Sequence, residues 1–148
     1  MDVNGSALEH LSREECIRLM ASVQIGRIVY TRQALPAVEL VNFSLHDGDI
    51  VIKTVAGAKL AAATHGAVVA FEADSVDVAG QAGWSVTIIG YARAVSDAEE
   101  IRDLERVTAN SWAPGKRDRF IRVSPTMVHG RRLPLRQEPC SAGFGASS

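Results

Sequence analysis

The chain has 148 residues, of which 47% are hydrophobic and 22% charged, and its formal net charge is −1. This length suits one domain with a hydrophobic core, and the near-neutral charge argues against nucleic acid or an anionic membrane surface as a partner. No apolar run is long enough to span a membrane, and the amino terminus lacks the features of a secretory signal. Cys16 and Cys140 stand far apart without Cys or His neighbours, which favours a reducing compartment over a disulfide or zinc site. We therefore expect a cytoplasmic protein.

The first predicted elements are a short helix and three strands. Ser12 to Glu15 forms a capping box, in which the Ser hydroxyl and the Glu carboxylate bond to backbone N–H groups reciprocally. Cys16 lies on the apolar stripe of the helix that follows. Residues 25–30, 37–43 and 50–54 are rich in β-branched and aromatic side chains, which predicts strands. The tight turns between them favour an antiparallel meander.

The second half of the chain alternates strands and short helices. We predict a helix over residues 58–64, a strand over 67–71, a polar loop over 74–83 and a long strand over 84–95, with a bend or bulge at Gly90. A second capping box at residues 96–99 begins another helix, and a last strand over 120–129 is interrupted at Pro125.

Six strands with short flanking helices predict a mainly β fold, a closed or nearly closed antiparallel barrel. We assign the barrel domain to residues 1–133. Residues 134–148 are rich in Pro, Gly, Ser and Ala, which predicts a disordered tail.

Standard catalytic and metal-binding motifs are absent from the sequence. It contains no H-E-x-x-H, no G-x-S-x-G, no Walker P-loop and no G-x-G-x-x-G after a strand. The histidines share no spacing that would build a metal site. We therefore predict neither a catalytic side chain nor a metal.

A phosphate site is one interpretation of residues 53–59, which run from a strand end through a glycine into a helix. A helix start offers unpaired N–H groups, Thr54 offers a hydroxyl donor, and Lys53 and Lys59 offer positive charge. The alternative is that both lysines are solvated surface residues and Gly57 is only a turn.

Two further features suit a flat heterocycle. Asn42 falls between apolar residues of a strand, where a ring rich in donors and acceptors could satisfy its amide. Trp84 and Ser85 begin the long strand, where an indole could border such a ring. The alternatives are a solvent-facing Asn42 and a Trp84 that closes one end of the barrel.

The order of these segments resembles the FMN-binding split-barrel superfamily, whose reference member is pyridoxamine 5′-phosphate oxidase. The resemblance covers residues 11–133 and rests on GR-I-V-Y, P-x-V-x-x-V-N-F, D-G-x-I-x-x-x-T-x-x-G-x-K-L and G-W-S-V-x-x-x-G-x-A. Within the superfamily, the chain is similar to the small bacterial branch that includes nitroimidazole-reductase-like proteins.

The resemblance implies a split barrel that forms a homodimer with FMN at the subunit interface. One strand would lie along the flavin, the end of the next strand and a following lysine would hold the phosphate, and the start of the long strand would reach the flavin from the barrel. The implied cofactor-binding residues are Glu39, Leu40, Val41, Asn42, Phe43, Lys53, Thr54, Lys59, Trp84 and Ser85.

The sequence also departs from the family oxidase. The oxidase has an Arg where Glu39 falls and an Arg-Lys pair where only Lys59 stands. Its substrate-phosphate residues near the carboxyl end have only loosely placed counterparts here, in His129, Arg131 and Arg132. These departures argue against oxidation of pyridoxamine phosphate by this chain.

The leading functional hypothesis is an FMN-dependent oxidoreductase that passes electrons from a reduced nicotinamide to a small organic acceptor. A deazaflavin-dependent reductase is one alternative. A non-catalytic protein that binds flavin or a tetrapyrrole-like planar ligand is another.

Overall fold

A computed structural model of the protein describes residues 9–54, 59–108 and 119–133. The predicted tail therefore lies outside the described residues, as does Cys140. The described strands are β1 (Glu9–His10), β2 (Ile25–Arg32), β3 (Leu35–His46), β4 (Asp49–Thr54), β5 (Val68–Asp77), β6 (Ala82–Val95) and β7 (Arg119–Leu133). The described helices are α1 (Arg13–Met20), α2 (Lys59–Thr64) and α3 (Ala98–Val107).

Six of these strands form a closed antiparallel ring in the order β7-β4-β3-β2-β5-β6, because β6 also pairs with β7. The mainly β, six-stranded barrel with short flanking helices is thereby confirmed. The two-residue β1, which adds to β7 opposite Arg131 and Arg132, was not predicted. The predicted loop over 74–83 is wrong in extent, since β5 and β6 stay paired until Asp77 meets Ala82.

The predicted irregularity at Gly90 is confirmed. The β6–β7 register shifts between Ile89 and Gly90, and a Cβ on Gly90 would lie 1.9 Å from the carbonyl oxygen of Ser124. Gly90 pairs with Pro125, and β7 continues through that proline without the predicted interruption. A bulge already disrupts the ladder there, so the N–H that proline lacks costs little.

Two hydrophobic cores hold the fold together. The barrel interior is lined by residues such as Ile28, Phe71 and Ile88, and helices α1 and α2 cap it. Phe43 and Phe71 meet edge to face inside the barrel, with ring centroids 4.8 Å apart. A smaller core lies outside the barrel, where α3 covers strands β4, β6 and β7 with Leu104. Each fully buried large side chain stabilises the fold by about 1.5–3 kcal/mol before entropy is counted.

Helix α1 begins as predicted, with the Glu15 N–H donating to Ser12 Oγ at 3.1 Å. The Glu15 carboxylate forms ion pairs with Arg18 at 2.6 Å and Arg132 at 3.5 Å. These ion pairs replace the predicted hydrogen bond from the Ser12 backbone N–H to the Glu15 carboxylate. Cys16 is fully buried on the predicted apolar face, and this burial, with the nearby Glu15 charge, raises the pKa of its thiol.

Helix α3 starts one residue later than the predicted capping box. Asp97 is the N-cap: its carboxylate accepts a hydrogen bond from the Glu100 N–H at 2.9 Å and so provides a partner for one of the unpaired N–H groups of the first turn. No helix in the described parts of the chain is both long and apolar enough to cross a membrane.

Candidate functional site

The barrel is split along one side of β3. Residues 35–42 of β3 pair with β2, whereas residues 43–46 pair with β4. Strand β4 ends at Thr54, and within the described ranges no strand covers the second edge of residues 35–42. This open edge is the central feature of the candidate site.

The hydrogen-bonding pattern between β3 and β2 determines which backbone N–H and C=O groups of β3 point to the open edge. The Phe43 N–H donates to the Gln24 carbonyl at 3.0 Å, toward β2. In an antiparallel pair, alternate residues direct their N–H and C=O groups to opposite sides. The backbone groups of Val38 and Leu40 therefore face the open edge, where a planar ligand with donors and acceptors could extend the sheet.

The predicted run from Glu39 to Phe43 divides between two faces of β3, as strand alternation requires. Phe43 is buried inside the barrel, and Val41 packs against that core. Leu40 lies on the outer wall with 66% of its surface exposed. Asn42 alternates with Val41 and Phe43 and therefore lies on the same outer side as Leu40. The run thus offers an edge and an outer face to a ligand, not five side chains on one surface.

Glu39 has a fixed position that the sequence did not indicate. The buried Tyr30 hydroxyl donates to Glu39 Oε2 at 2.6 Å, and this hydrogen bond is the largest cause of a raised pKa for the Tyr30 phenol. The Glu39 carboxylate is thereby held by a residue of the barrel core.

A pocket of about 220 Å³ lies beside the open edge and brings together Asn42, Phe43 and Lys53 of the predicted residues. Sequence reasoning missed the rest of its lining, although Ser44 could have been found from the alternation that places it on the same side as Asn42. The additional lining residues are Gln24, Ser44, Val51, Val107 and Thr108. The last two end helix α3, so the helix forms one wall of this pocket, which we call the α3 pocket.

Two buried hydroxyls have no hydrogen-bond partner in the described structure: Thr54 Oγ1, at the end of β4, and Ser44 Oγ, in the α3 pocket. A buried hydroxyl without a partner is costly, so such atoms mark places where a polar ligand group fits. Lys53 is half-buried beside Thr54, with its ammonium 5.8 Å from the Phe120 ring centroid. Ser44 and Lys53 line the α3 pocket together, whereas the Thr54 side chain lies on the opposite face of β4, the face that carries Ile50 and Ile52.

Lys59 is exposed on the first residue of the six-residue helix α2. The chain between Thr54 and Lys59 lies outside the described residues, so the predicted Gly57 turn does too. A role for Lys59 in phosphate binding stays a prediction.

Trp84 and Ser85 lie in a different pocket, of about 560 Å³, at the start of β6. Strands β2 and β5 separate β6 from β3, so Ser85 is three strand spacings, about 14 Å, from Asn42 along the wall. Trp84 also packs partly against the barrel core, as the alternative interpretation anticipated. Within one chain, the predicted residues that line a pocket thus divide between two: Asn42, Phe43 and Lys53 line the α3 pocket, and Trp84 and Ser85 line the other.

The three candidate substrate-phosphate residues near the carboxyl end, His129, Arg131 and Arg132, lie in different places. Arg131 lines the Trp84 pocket, and the registers pair it with Ser85. Arg132 reaches the Glu15 carboxylate on α1 instead. His129 is paired with Thr87 on the exposed outer wall. These residues do not form one phosphate-binding cluster.

An ionic cluster that the sequence did not reveal lies between the two pockets. Arg27 Nη1 contacts Glu72 Oε1 at 2.9 Å and Asp74 Oδ2 at 3.2 Å. Burial and the adjacent Asp74 raise the pKa of the Glu72 carboxyl, while Arg27 opposes that rise. Among the residues that the structure describes, no three His, Cys, Asp or Glu side chains could hold a metal ion.

Comparison with known proteins agrees with this architecture. The chain is 39% identical to an uncharacterized protein of Mycobacterium tuberculosis over 83% of this chain and 84% of that one. The structure superposes on the FAD binding protein from Mycobacterium smegmatis with a TM-score of 0.72 and 35% identity, covering 84% of this chain and 98% of that one. An FAD-binding protein from Mesorhizobium loti, 19% identical, shares the fold with a TM-score of 0.69 over 86% and 99% of the two chains. The family model described as pyridoxamine 5′-phosphate oxidase matches residues 12–132, and the chain belongs to that family.

Proposed function

We propose that this protein is a flavin-dependent oxidoreductase that binds FMN and passes electrons from a reduced nicotinamide to a small organic acceptor. The buried Thr54 hydroxyl without a partner, at the end of β4, is the observation that carries the proposal. Lys59, the first residue of α2, would supply positive charge to the same ligand group. The family membership makes a flavin the ligand that best suits these groups.

The bound flavin would supply the redox chemistry, since its ring accepts a hydride and releases electrons. The residues of this chain bind and orient it. Thr54 and Lys59 would hold the phosphate, Lys53 would add positive charge from the α3 pocket, and the backbone of Val38 and Leu40 would bond the ring edge. Asn42 would contact the same ligand from the α3 pocket. Alignment of the reactants is the main contribution of the protein to such a transfer.

FAD is a second candidate cofactor, because the relative from Mycobacterium smegmatis is an FAD binding protein at 35% identity. The two cofactors share the isoalloxazine ring and the first phosphate, so the groups named above suit either. Separate measurements of FMN and FAD affinity will distinguish them.

The active form is proposed to be a homodimer. One outer row of side chains crosses five strands in register, and its end members Val38 and Met127 are 61% and 54% exposed. The members of the row are Val38, Val29, Ala70, Ile89 and Met127. A second copy would cover one side of this row and bring the partner's Trp84 and the partner's Ser85 to the flavin of the first subunit, which would account for their separate pocket within one chain.

The decisive experiment is an absorbance spectrum of the purified protein, followed by titration with FMN, FAD and riboflavin. Oxidised flavin, deazaflavin and tetrapyrrole ligands have distinct bands. Lys59→Ala should weaken FMN far more than riboflavin, by ~1–3 kcal/mol for one charge-assisted contact. Arg102→Ala, on the exposed face of α3, is the matched control. Equal losses for FMN and riboflavin would contradict the phosphate role, and failure of the wild-type protein to bind any flavin would refute the function.

A further inference from the structure

One arginine connects three elements around the α3 pocket. Arg122, on β7, has a side chain only 12% exposed. Its Nε donates to Asp49 Oδ2 at 2.9 Å and its Nη2 to the His46 carbonyl at 3.4 Å, so it holds the β3–β4 turn. Its Nη1 donates to Glu100 Oε2 at 2.9 Å, in the first turn of α3.

Glu100 is held from a second side as well. Arg93, on β6, forms a bidentate hydrogen bond with the Glu100 carboxylate: Nη2 donates to Oε2 at 2.7 Å and Nη1 donates to Oε1 at 3.2 Å. This Arg93 contact is the largest cause of the lowered pKa of the Glu100 carboxyl, and Arg122 adds to it. Two guanidinium groups and two carboxylates thus balance in charge, which reduces the cost of their partial burial.

The far end of the same helix forms a wall of the α3 pocket. Leu104 is fully buried in the outer core, and its carbonyl accepts both the Thr108 N–H at 2.9 Å and the Thr108 hydroxyl at 2.6 Å. Thr108 and Val107 line the pocket. The opposite wall comes from the β3–β4 hairpin, whose turn Arg122 also holds.

We propose that Arg122 and Glu100 are positioning residues for the α3 pocket: by tying the β3–β4 turn to the first turn of α3, they fix both walls between which the ligand binds. Neither residue lines the pocket. The inference rests on the proposed function in that it takes a flavin as the ligand.

The helix geometry gives the size of the effect. Thr108 lies eight residues beyond Glu100, about 12 Å along the helix axis. A tilt of about 10° around the Glu100 end would therefore displace Thr108 by about 2 Å. A displacement of about 2 Å would move a hydrogen-bonding atom beyond the distance at which a hydrogen bond forms.

The test compares two charge-removing substitutions on the same helix. Glu100→Gln, measured on folded protein at 10 °C, should weaken flavin binding about three- to tenfold and should speed hydrogen exchange at residues 104–108. Asp103→Asn is the matched control, because its ion pair with Arg106 is 62% and 75% exposed and holds no second element. Arg122→Lys keeps the positive charge, but an ammonium lacks the several N–H donors by which the planar guanidinium bonds the β3–β4 turn and α3 at once. This variant should therefore behave like Glu100→Gln.

A purely structural role would lower the melting temperature of Glu100→Gln and leave its affinity at 10 °C equal to that of Asp103→Asn, which would overturn the inference. If Glu100→Gln does not fold, Arg122→Lys decides by the same comparison. If the wild-type protein binds no flavin, the proposed function fails, and hydrogen exchange decides the positioning role alone. Unchanged exchange at residues 104–108 in Glu100→Gln would then refute it.

Discussion

Replacing Thr54 by valine should change stability and ligand affinity in opposite directions. The Thr54 side chain is buried, with 7% of the residue exposed, and its hydroxyl has no partner in the described structure. An unsatisfied buried hydroxyl costs about 1–3 kcal/mol, and valine fills a similar volume without it. Thr54→Val should therefore stabilise the ligand-free protein by about 1 kcal/mol, which raises the melting temperature by about 3 °C for a chain of this size.

The same substitution should weaken FMN binding, because it removes a donor to the phosphate. A hydrogen bond to a charged group contributes about 1.5–3 kcal/mol, so the dissociation constant should rise at least about tenfold. Fluorescence titration with FMN and riboflavin measures the loss, which should be confined to FMN. Differential scanning calorimetry without ligand measures the stability.

Thr64→Val is the matched control. The Thr64 side chain is fully buried, and its hydroxyl donates to the Leu60 carbonyl at 2.9 Å, so its removal should lower stability and leave the FMN-to-riboflavin ratio unchanged. If Thr54→Val lowers the melting temperature as Thr64→Val does, the Thr54 hydroxyl has a partner in solution. If it binds FMN as tightly as the wild type, Thr54 is not a phosphate ligand.

Three other substitutions test the fold and the assembly. Gly90→Ala should prevent folding or cost more than about 3 kcal/mol in urea denaturation, because its Cβ would collide with the Ser124 carbonyl; a loss under about 1 kcal/mol would contradict this. The folded pKa of Glu100 lies below its unfolded value, so the stability it contributes is present above the unfolded pKa and is lost as pH falls through the folded pKa. The urea midpoints of wild type and Glu100→Gln should accordingly differ at pH 7 and converge as the pH falls through the folded pKa of Glu100; a constant difference would refute the ion-pair explanation. Met127→Asp should convert a dimer to a 15.9 kDa monomer in sedimentation, whereas Ala98→Asp, on the exposed start of α3, should not.

The barrel strands and the caps were largely predictable because their signals are local. β-branched runs predicted β2, β3 and β4, and Ser12 predicted the start of α1. The irregularity at Gly90 was predictable for the same reason, since a glycine in a long strand marks a close backbone approach. The prediction from local composition was wrong at the hairpin of β5 and β6, because pairing between the two strands continues through residues whose polar character predicted a loop.

The sequence by itself determined the order of the elements, the two faces of β3 and the family resemblance, because each depends on residues close together in the chain. Only the tertiary structure decided which of the predicted site residues meet. It placed Asn42 and Lys53 in one pocket and Trp84 in another, since the closure of the barrel sets the distance between β3 and β6. It also paired Arg122 with Asp49, 73 positions away, because strand registers join residues that no local pattern connects.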